Sequence, residues 1–369
     1  MYKAIVIRLF PTKSQAKLFW QNVGTARWTW NWGLDTQKKV YSNGKKFLSV
    51  NELKRKFTEV RNNEKFKWLQ EVSRHVEANA LIDLDKAYRK FFMKAAGMPK
   101  FKSKGKCRPS FCARSERVKV NERNRIYLEK LGWVRYKSKE YLIGMKFYNA
   151  RVKFENGKWL LKCAIEALPQ ESGITLRDVK MGIDVGVKSL AVVSCGGHKR
   201  VFRNINRSHE MRRLNKQLRH HQRILARKEK GSKNRLKERY KVQKIYGRIK
   251  RKRHEYIQQT VLKIVKMRPK VIVLEDLNIQ GMMKNRHLAK AVAEQNLYLF
   301  RILIENKANE SGIETKLADR FYPSSKRCSN CGHVKKDLKL SERVYKCPEC
   351  GMIIDRDFNA ALNLERLAV

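Results

Sequence analysis

Acidic residues are scarce. The 369-residue chain carries 34 Asp+Glu against 85 Lys+Arg, a formal net charge of +51. That excludes a surface neutralised by ion pairs, and self-repulsion of this size calls for a polyanion. A small anionic metabolite would not need basic residues spread from the start of the chain to about residue 346. A run of about 18 apolar residues is also missing, so no transmembrane helix is expected. No secretory leader is recognisable, and the expected location is cytoplasmic and nucleoid-associated. The absence of internal repeats and low-complexity tracts excludes a solenoid and a disordered basic tail. What the chain does have is 42% hydrophobic residues, enough to bury real cores, and a length that suits two or three structural units.

The first strand is read over residues 2–8, "YKAIVIR", and Pro11 ends it. Thr12 with Gln15 three residues on is a capping box that opens a helix. Phe19, Val23, Ala26 and Trp30 continue it at helical spacing. A second long helix is expected over 65–94, with Leu69, Val72, Val76, Ala80, Ala87 and Phe91 as its apolar stripe. A lone strand is not stable. The helices are therefore read as an insertion, with the first strand pairing further along the chain. From about Gly97 a basic, Gly/Pro-punctuated linker leads into short strand-like runs: "RVKVNE", "RIYLEK", "YLIGMKFY" and "ARVKFENGKWLLKCAIEAL". Asn156-Gly157 is a hairpin turn. These runs suggest a small antiparallel barrel or sandwich ending near Leu168.

"VKMGIDVGVKSLAVVSCGG" then gives two apolar strands around a turn. Residues 205–267 are helical and strongly basic, with a break at 230–234. Between Arg212 and Arg253 there are 19 Lys/Arg and 2 Glu. With so few acids the helices cannot neutralise themselves, and they are read as phosphate-contacting. "KVIVLEDLNI" at 270–279 holds a buried strand. A helix over 288–311, the cysteine region and a last helix from Phe358 complete the chain.

Eight cysteines are present, and four of them form two tight pairs, Cys328/Cys331 and Cys347/Cys350, separated by 15 residues. Two C-x-x-C knuckles at this spacing supply four thiolates for one tetrahedral Zn²⁺. Such a closed site is structural. Gly332 and Gly351 each follow the second Cys of a pair, where the knuckle turns. Cys107, Cys112, Cys163 and Cys195 show no such clustering and read as free thiols.

Three separated acidic positions also stand out. Asp184 interrupts an apolar strand, which is costly without a partner or a task. Gly186 after it is read as letting the chain turn close to a phosphate or metal. Glu275 ends the apolar run "VIVLE". Asp355 and Asp357 flank Arg356 before the last helix. Singly, strand ends and helix caps explain such acids. Together, on strand, strand and helix of an α/β unit that binds nucleic acid, they point to two-metal phosphodiester hydrolysis. "GIDVGVKSLAVV" also resembles the first phosphate strand of sugar kinases, but no later Asp-Gly-Gly turn or adenosine-binding Gly pair follows. Trp20, Trp28, Trp30, Trp32, Phe91 and Phe92 could stack on bases. At helical spacing they are read as core.

These residues resemble the TnpB family, the accessory nucleases of small insertion sequences, over nearly the whole chain. The resemblance rests on "RLFPTKSQ", "PKFKSK", "GIDVGVKSLAV", "KGSKNRLK", "VIVLEDLNI", "FYPSSKRCSNCG" and "CPECGMIIDRDFNAALN". It implies an α/β multidomain chain similar in its core to the compact type V CRISPR effectors. A wedge β-barrel (1–10 and 97–175) would carry a helical recognition domain (11–96). A RuvC-like RNase H fold (176–325 and 352–369) would carry a zinc-ribbon target-strand domain (326–351). It further implies RNA-guided DNA cleavage beside a short transposon-adjacent motif, with a guide RNA from the transposon end. Asp184, Glu275 and Asp357, the Asp of a D-x-N-A-A pattern, would hold two Mg²⁺, and Asp355 would cap or pair. A monomer on its RNA is the expected form. The rival functions are a nuclease-inactive RNA-guided or direct DNA-binding repressor and a strand-transferring transposase.

Overall fold

A computed structural model describes residues 2–166, 176–339 and 342–367. The chain divides into two compact units, Met1–Leu168 and Pro169–Val369. The expected end of the first unit's β-structure near Leu168 lies outside the described residues. Among those described, no helix is long and apolar enough to cross a membrane.

In the first unit, β1 (Tyr2–Phe10) alternates strictly: Ile5, Ile7 and Leu9 are buried, and the residues between them are exposed. That period of two places one face on the core. β1 does pair further along, antiparallel to both β5 (Gly132–Lys137) and β7 (Lys158–Glu166). With β2 (Ser110–Cys112), β3 (Lys119–Asn121), β4 (Arg125–Leu128) and β6 (Phe147–Glu155) it forms a seven-stranded half-barrel of order β2-β6-β7-β1-β5-β4-β3. The β6–β7 turn takes Asn156 and Gly157 at φ 52° and 75°, the pair of left-handed residues that a tight hairpin demands. "YLIGMKFY" becomes strand only from Phe147, because Gly144 at φ 75° breaks the extended chain before it.

The helices between β1 and β2 differ from expectation in one respect. α1 (Lys13–Ser42) opens on the Thr12–Gln15 capping box. α2 (Val50–Asn62) follows with a second box, Ser49–Glu52. The single helix expected over 65–94 is instead a 3₁₀ segment, Glu64–Glu71, and α3 (Arg74–Phe92). Val72 is extended (φ −103°, ψ 153°), and the Ser73 side chain accepts from His75 N–H to start α3. Leu69 and Val72 are buried all the same, so the apolar period survives while the backbone breaks. Trp30 is buried, Trp28 and Trp32 pack on Phe57, and Trp20 lies edge-on to Trp159. Trp28, Trp30, Trp32 and Phe91 are therefore packed in the core as expected, whereas Trp20 and Phe92 are exposed.

The second unit is built on a five-stranded sheet of order β10-β9-β8-β11-β12. β8 (Arg177–Val185), β9 (Ser189–Cys195) and β10 (His198–Arg203) run as an antiparallel meander. α4 (His209–Arg227) and α5 (Lys233–Val265) intervene before β11 (Pro269–Glu275), which lies parallel to β8. α6 (Ile279–Lys284), α7 (Ala289–Gln295) and α8 (Leu297–Glu310) lead to β12 (Glu314–Ala318), parallel to β11. The one helix expected over 288–311 is split at Asn296, whose left-handed backbone (φ 53°, ψ 45°) Asn tolerates better than most residues. β13 (Val344–Lys346) and β14 (Ile353–Asp355) form a small hairpin, and α9 (Arg356–Arg366) starts two residues before Phe358.

The period of two gives this sheet two distinct faces. Met181, Ile183, Ile272 and Leu274 pack with Ile257, Val261 and Ile264 of α5 and with Phe300 and Ile304 of α8. Each such side chain contributes about 1.5–3 kcal/mol on burial. On the opposite face Val271 and Val273 pack with Ala318 and with Leu364 of α9. Asp184 and Glu275 belong to that second face.

Candidate metal centres and nucleic-acid interface

Asp184 and Glu275 become neighbours through strand register. Gly182 pairs with Val273 and Ile183 with Leu274 across the parallel β8–β11 seam. One step further the two acids stand side by side at the strand ends. α9 crosses the same face and brings Asp357 in its first turn. It can do so because residue 182 has no side chain: a Cβ there would lie 2.1 Å from the Ala361 carbonyl oxygen and 2.3 Å from Glu365 N. At its other end α9 is tied down by Glu365, whose carboxylate accepts from the Ser194 hydroxyl and from Gly197 N–H.

Electrostatics mark the three acids as one group. Burial, and then the charges of Glu275 and Asp357, push the Asp184 carboxyl well above the usual carboxylate range. Burial also raises Glu275, opposed by a hydrogen bond from Ser324 and reinforced by Asp357. Desolvated like charges of this kind are unfavourable until a cation offsets them. Hard carboxylate oxygens are the donor set that Mg²⁺ takes, so the residues fit that ion. Asp276, next to Glu275, behaves in the opposite way. Arg320 and Arg301 both bind it, at 2.6 and 2.8 Å, and hold its carboxyl below the usual range.

The two late aspartates have different partners, although the charges of both raise the Asp184 carboxyl, Asp357 more than Asp355. Asp355 is the N-cap of α9: its Oδ1 accepts from Phe358 N–H at 2.9 Å and pairs with Lys199 at 3.2 Å. Asp357 faces the other two acids, with Arg356 at 3.4 Å and Arg343 at 4.0 Å. Gly186 needs no glycine geometry of its own. Its φ lies outside the left-handed region, and a Cβ there would meet only Ser189 O at 3.6 Å. The glycine that the protein's own backbone approaches closely is Gly182.

Among the described residues, the four paired cysteines are the one set of ligating side chains whose donor atoms all lie within 4.8 Å of one another. The carboxylates are more widely spaced. Cys328 and Cys350 sulfurs are 3.6 Å apart, and Cys331 and Cys347 sulfurs 3.5 Å. Tetrahedral zinc with Zn–S of about 2.3 Å needs about 3.8 Å, whereas a disulfide needs about 2.05 Å. The thiols therefore fit zinc. Gly332 and Gly351 take φ 80° and 69°, the left-handed turn that closes each knuckle. The Cys350 thiol is drawn down to about 6, chiefly by Met352 N–H and then by Asn330. Cys107, Cys112, Cys163 and Cys195 stand outside this cluster, and burial pushes Cys163 up to about 12.

The knuckle is fastened to α9 by two buried asparagines that sequence reasoning passed over. Asn359 accepts from Ser329 N–H and donates to Arg327 O. Asn363 donates to Ser324 O and Arg327 O. The available signal was their i, i+4 spacing among Ala360, Ala361 and Leu364: two amides on an apolar stripe require backbone partners. Ser324, which donates to Glu275, was missed as well.

α4 and α5 zip together through Met211, Leu214 and Leu218 against Val242, Ile245 and Ile249. That leaves Arg212, Arg213, Lys216 and Arg219 exposed along a groove of 820 Å³ that Tyr246 and Arg253 also line. Among the described residues these four cations form no ion pair. Such a surface suits phosphates.

Three family models match the chain: "Cas12f1-like, TNB domain" over residues 298–364, "Probable transposase" over 172–286 and "Helix-turn-helix domain" over 1–46. Residues 1–46 here form β1 and the single 30-residue α1, not two helices around a turn. A protein of Streptomyces pristinaespiralis described as "Putative RNA-guided DNA endonuclease" is 31% identical over 367 residues, covering 98% of this chain and 88% of its own. InsQ of Escherichia coli K12, similarly described, is 28% identical, covering 92% and 86%. The fold is similar to that of Cas12f1 in a complex with single-guide RNA and target DNA. The TM-score is 0.59 at 15% identity, covering 96% of this chain and 83% of that one.

Proposed function

The chain belongs to the TnpB family of insertion-sequence-associated, RNA-guided DNA endonucleases, and from that membership we propose that it cuts DNA selected by a bound RNA. The observation that carries the chemistry is the meeting of Asp184, Glu275 and Asp357 on the α9 face of the sheet. These three carboxylates hold two Mg²⁺, in what we take to be a RuvC-like RNase H core. The ions, when bound, supply an activated water and charge stabilisation at the attacking and leaving oxygens. The protein's part is to fix the acids and exclude bulk water from them. Gly182 admits the helix, Asp355 caps it, and Arg343 and Arg356 offset the charge of Asp357.

The remaining surfaces are assigned accordingly. The cations of α4 and α5 grip phosphates of a transposon-end guide RNA or its duplex. Base pairing reads the sequence, and the protein reads shape and a short adjacent motif. The half-barrel belongs to the wedge proposed over residues 1–10 and 97–175, residues 11–96 serve as the recognition domain, and the Cys₄ knuckle serves as a zinc ribbon beside the target strand. The protein works in the cytoplasm, as a monomer on its RNA.

The test starts from protein purified with its co-expressed RNA, which is then sequenced. A plasmid matched to that RNA should be cut with Mg²⁺ and spared with EDTA. Asp184→Asn should bind the plasmid and leave it intact. Joined donor–target products would instead indicate strand transfer, and binding without cutting by the parent would indicate a repressor.

A further inference from the structure

We infer that Ser324 is a positioning residue for Glu275 and that the cysteine knuckle acts on the acid site through it; this rests on the metal-binding role proposed above for the three acids. Glu275 is the longest of the three, with three rotatable bonds, and it stands at the very end of β11. Asp184 lies within a strand and Asp357 in the first turn of a helix, so their shorter side chains are aimed by the backbone. Glu275 needs a further constraint, and Ser324 provides it by donating its hydroxyl to Oε1. A donated hydrogen bond leaves Oε2 and a second lone pair of Oε1 for a cation.

The hydroxyl is itself fixed in place. Ser324 is buried at 5% exposure. Its N–H donates to Tyr322 O, and its carbonyl accepts from Asn363 Nδ2 at 2.8 Å. Asn363 also holds Arg327 O, and Asn359 holds Arg327 O and Ser329 N–H, on either side of Cys328. One continuous set of contacts thus runs from the thiol cluster through the backbone of 324–329 to Glu275. The same helix, α9, carries both asparagines and Asp357. Groups that hold a metal-binding carboxylate typically change metal affinity or activity by 10–100-fold when removed.

The experiment compares Ser324→Ala and Ser324→Thr in the RNA-loaded protein. Ser324→Ala should slow single-turnover cleavage by roughly 10–100-fold and raise the Mg²⁺ concentration needed for half-maximal rate. A second readout does not depend on DNA cutting. Fe²⁺ bound in place of Mg²⁺, supplied with hydrogen peroxide as oxidant and ascorbate to re-reduce the iron, generates hydroxyl radical that cleaves the polypeptide backbone beside it. This cleavage near Glu275 should weaken in Ser324→Ala. Zinc content and target binding should match the parent, and Ser324→Thr, which keeps the hydroxyl, should recover rate and iron-directed cleavage. A parent-like rate, Mg²⁺ midpoint and iron pattern in Ser324→Ala overturns the inference. Equal damage in Ser324→Thr, or loss of zinc in either variant, also overturns it, because packing would then be the role of residue 324. Asp184→Asn serves as the control: if it cleaves DNA like the parent, the acid-site proposal has failed, not the role of Ser324.

Discussion

The thiol cluster and the carboxylate cluster solve the problem of gathering like ligands in opposite ways. The four cysteines come from two knuckles within one short segment, and left-handed glycines turn each knuckle on itself. Local geometry brings the sulfurs within contact of one another. The three acids come from two strands and a helix distant in the chain, and sheet register and helix packing bring them together. They lie further apart than the thiols, and burial holds two of them above their ordinary range. A cluster made locally can form as soon as its segment folds around a metal. A cluster made by register exists only once the whole unit has folded.

The sharpest way to break this comparison is Asp357→Ala set against Asp355→Ala. Losing a metal-holding carboxylate should reduce cleavage by on the order of 10³-fold or more while leaving RNA and target binding intact. Losing the cap at Asp355 should cost about 1 kcal/mol of stability and leave cutting nearly unchanged. Cleavage at matched RNA occupancy, with a thermal melt of each variant, decides it. A dead Asp355→Ala beside an active Asp357→Ala would reverse the assignment.

Cys347→Ser should release about one zinc per chain and unfold the knuckle, because binding energy at a closed site is folding energy. Metal content by mass spectrometry reads the first effect, and protease susceptibility between residues 326 and 352 the second. Replacing Cys107 and Cys112 should change neither. Full zinc retention in Cys347→Ser would remove the tetrahedral assignment.

Gly182→Ala tests whether the acid cluster depends on helix packing at a distance. A Cβ 2.1 Å from the Ala361 carbonyl must displace α9, at a cost of about 1–3 kcal/mol. Cleavage should fall more than stability accounts for, since Asp357 moves with the helix. A variant that melts lower but cuts normally would show that the first turn of α9 is placed by Asp355 and the knuckle alone.

The smallest expected effect is on pH dependence. Asp184 and Glu275 have raised folded-state values, so as pH climbs past about 4 the unfolded chain gives up these protons first. The stability of the metal-free second unit should therefore fall as pH rises toward the raised values. Mg²⁺ should reverse the loss by binding the folded state. Asp184→Asn should flatten the slope and raise the neutral-pH melting temperature in EDTA. An unchanged slope would show that burial does not set the Asp184 proton affinity.

The sequence by itself determined the parts whose physics is local. The capping box at Thr12, the Asn156-Gly157 hairpin, the core period of β1 and the two cysteine knuckles each depend on residues a few positions apart, and each stands where expected. It also brought forward Asp184 and Glu275, because a charge in or at the end of an apolar strand is conspicuous wherever it lies, whereas the choice of Asp357 over Asp355 came from the family resemblance. Tertiary structure decided the rest. Val72 and Ser73 break a helix that their apolar spacing would have continued, since burial of Leu69 and Val72 tolerates either backbone. β5, β10 and β12 were not foreseen, because an edge or a half-exposed strand gains its stability from its neighbour's hydrogen bonds and not from its own pattern. Gly182, Ser324, Asn359 and Asn363 act only on partners that the fold supplies. A glycine's lack of a side chain has no meaning until a helix lies against it, and a serine hydroxyl becomes significant only when a carboxylate distant in the chain turns toward it.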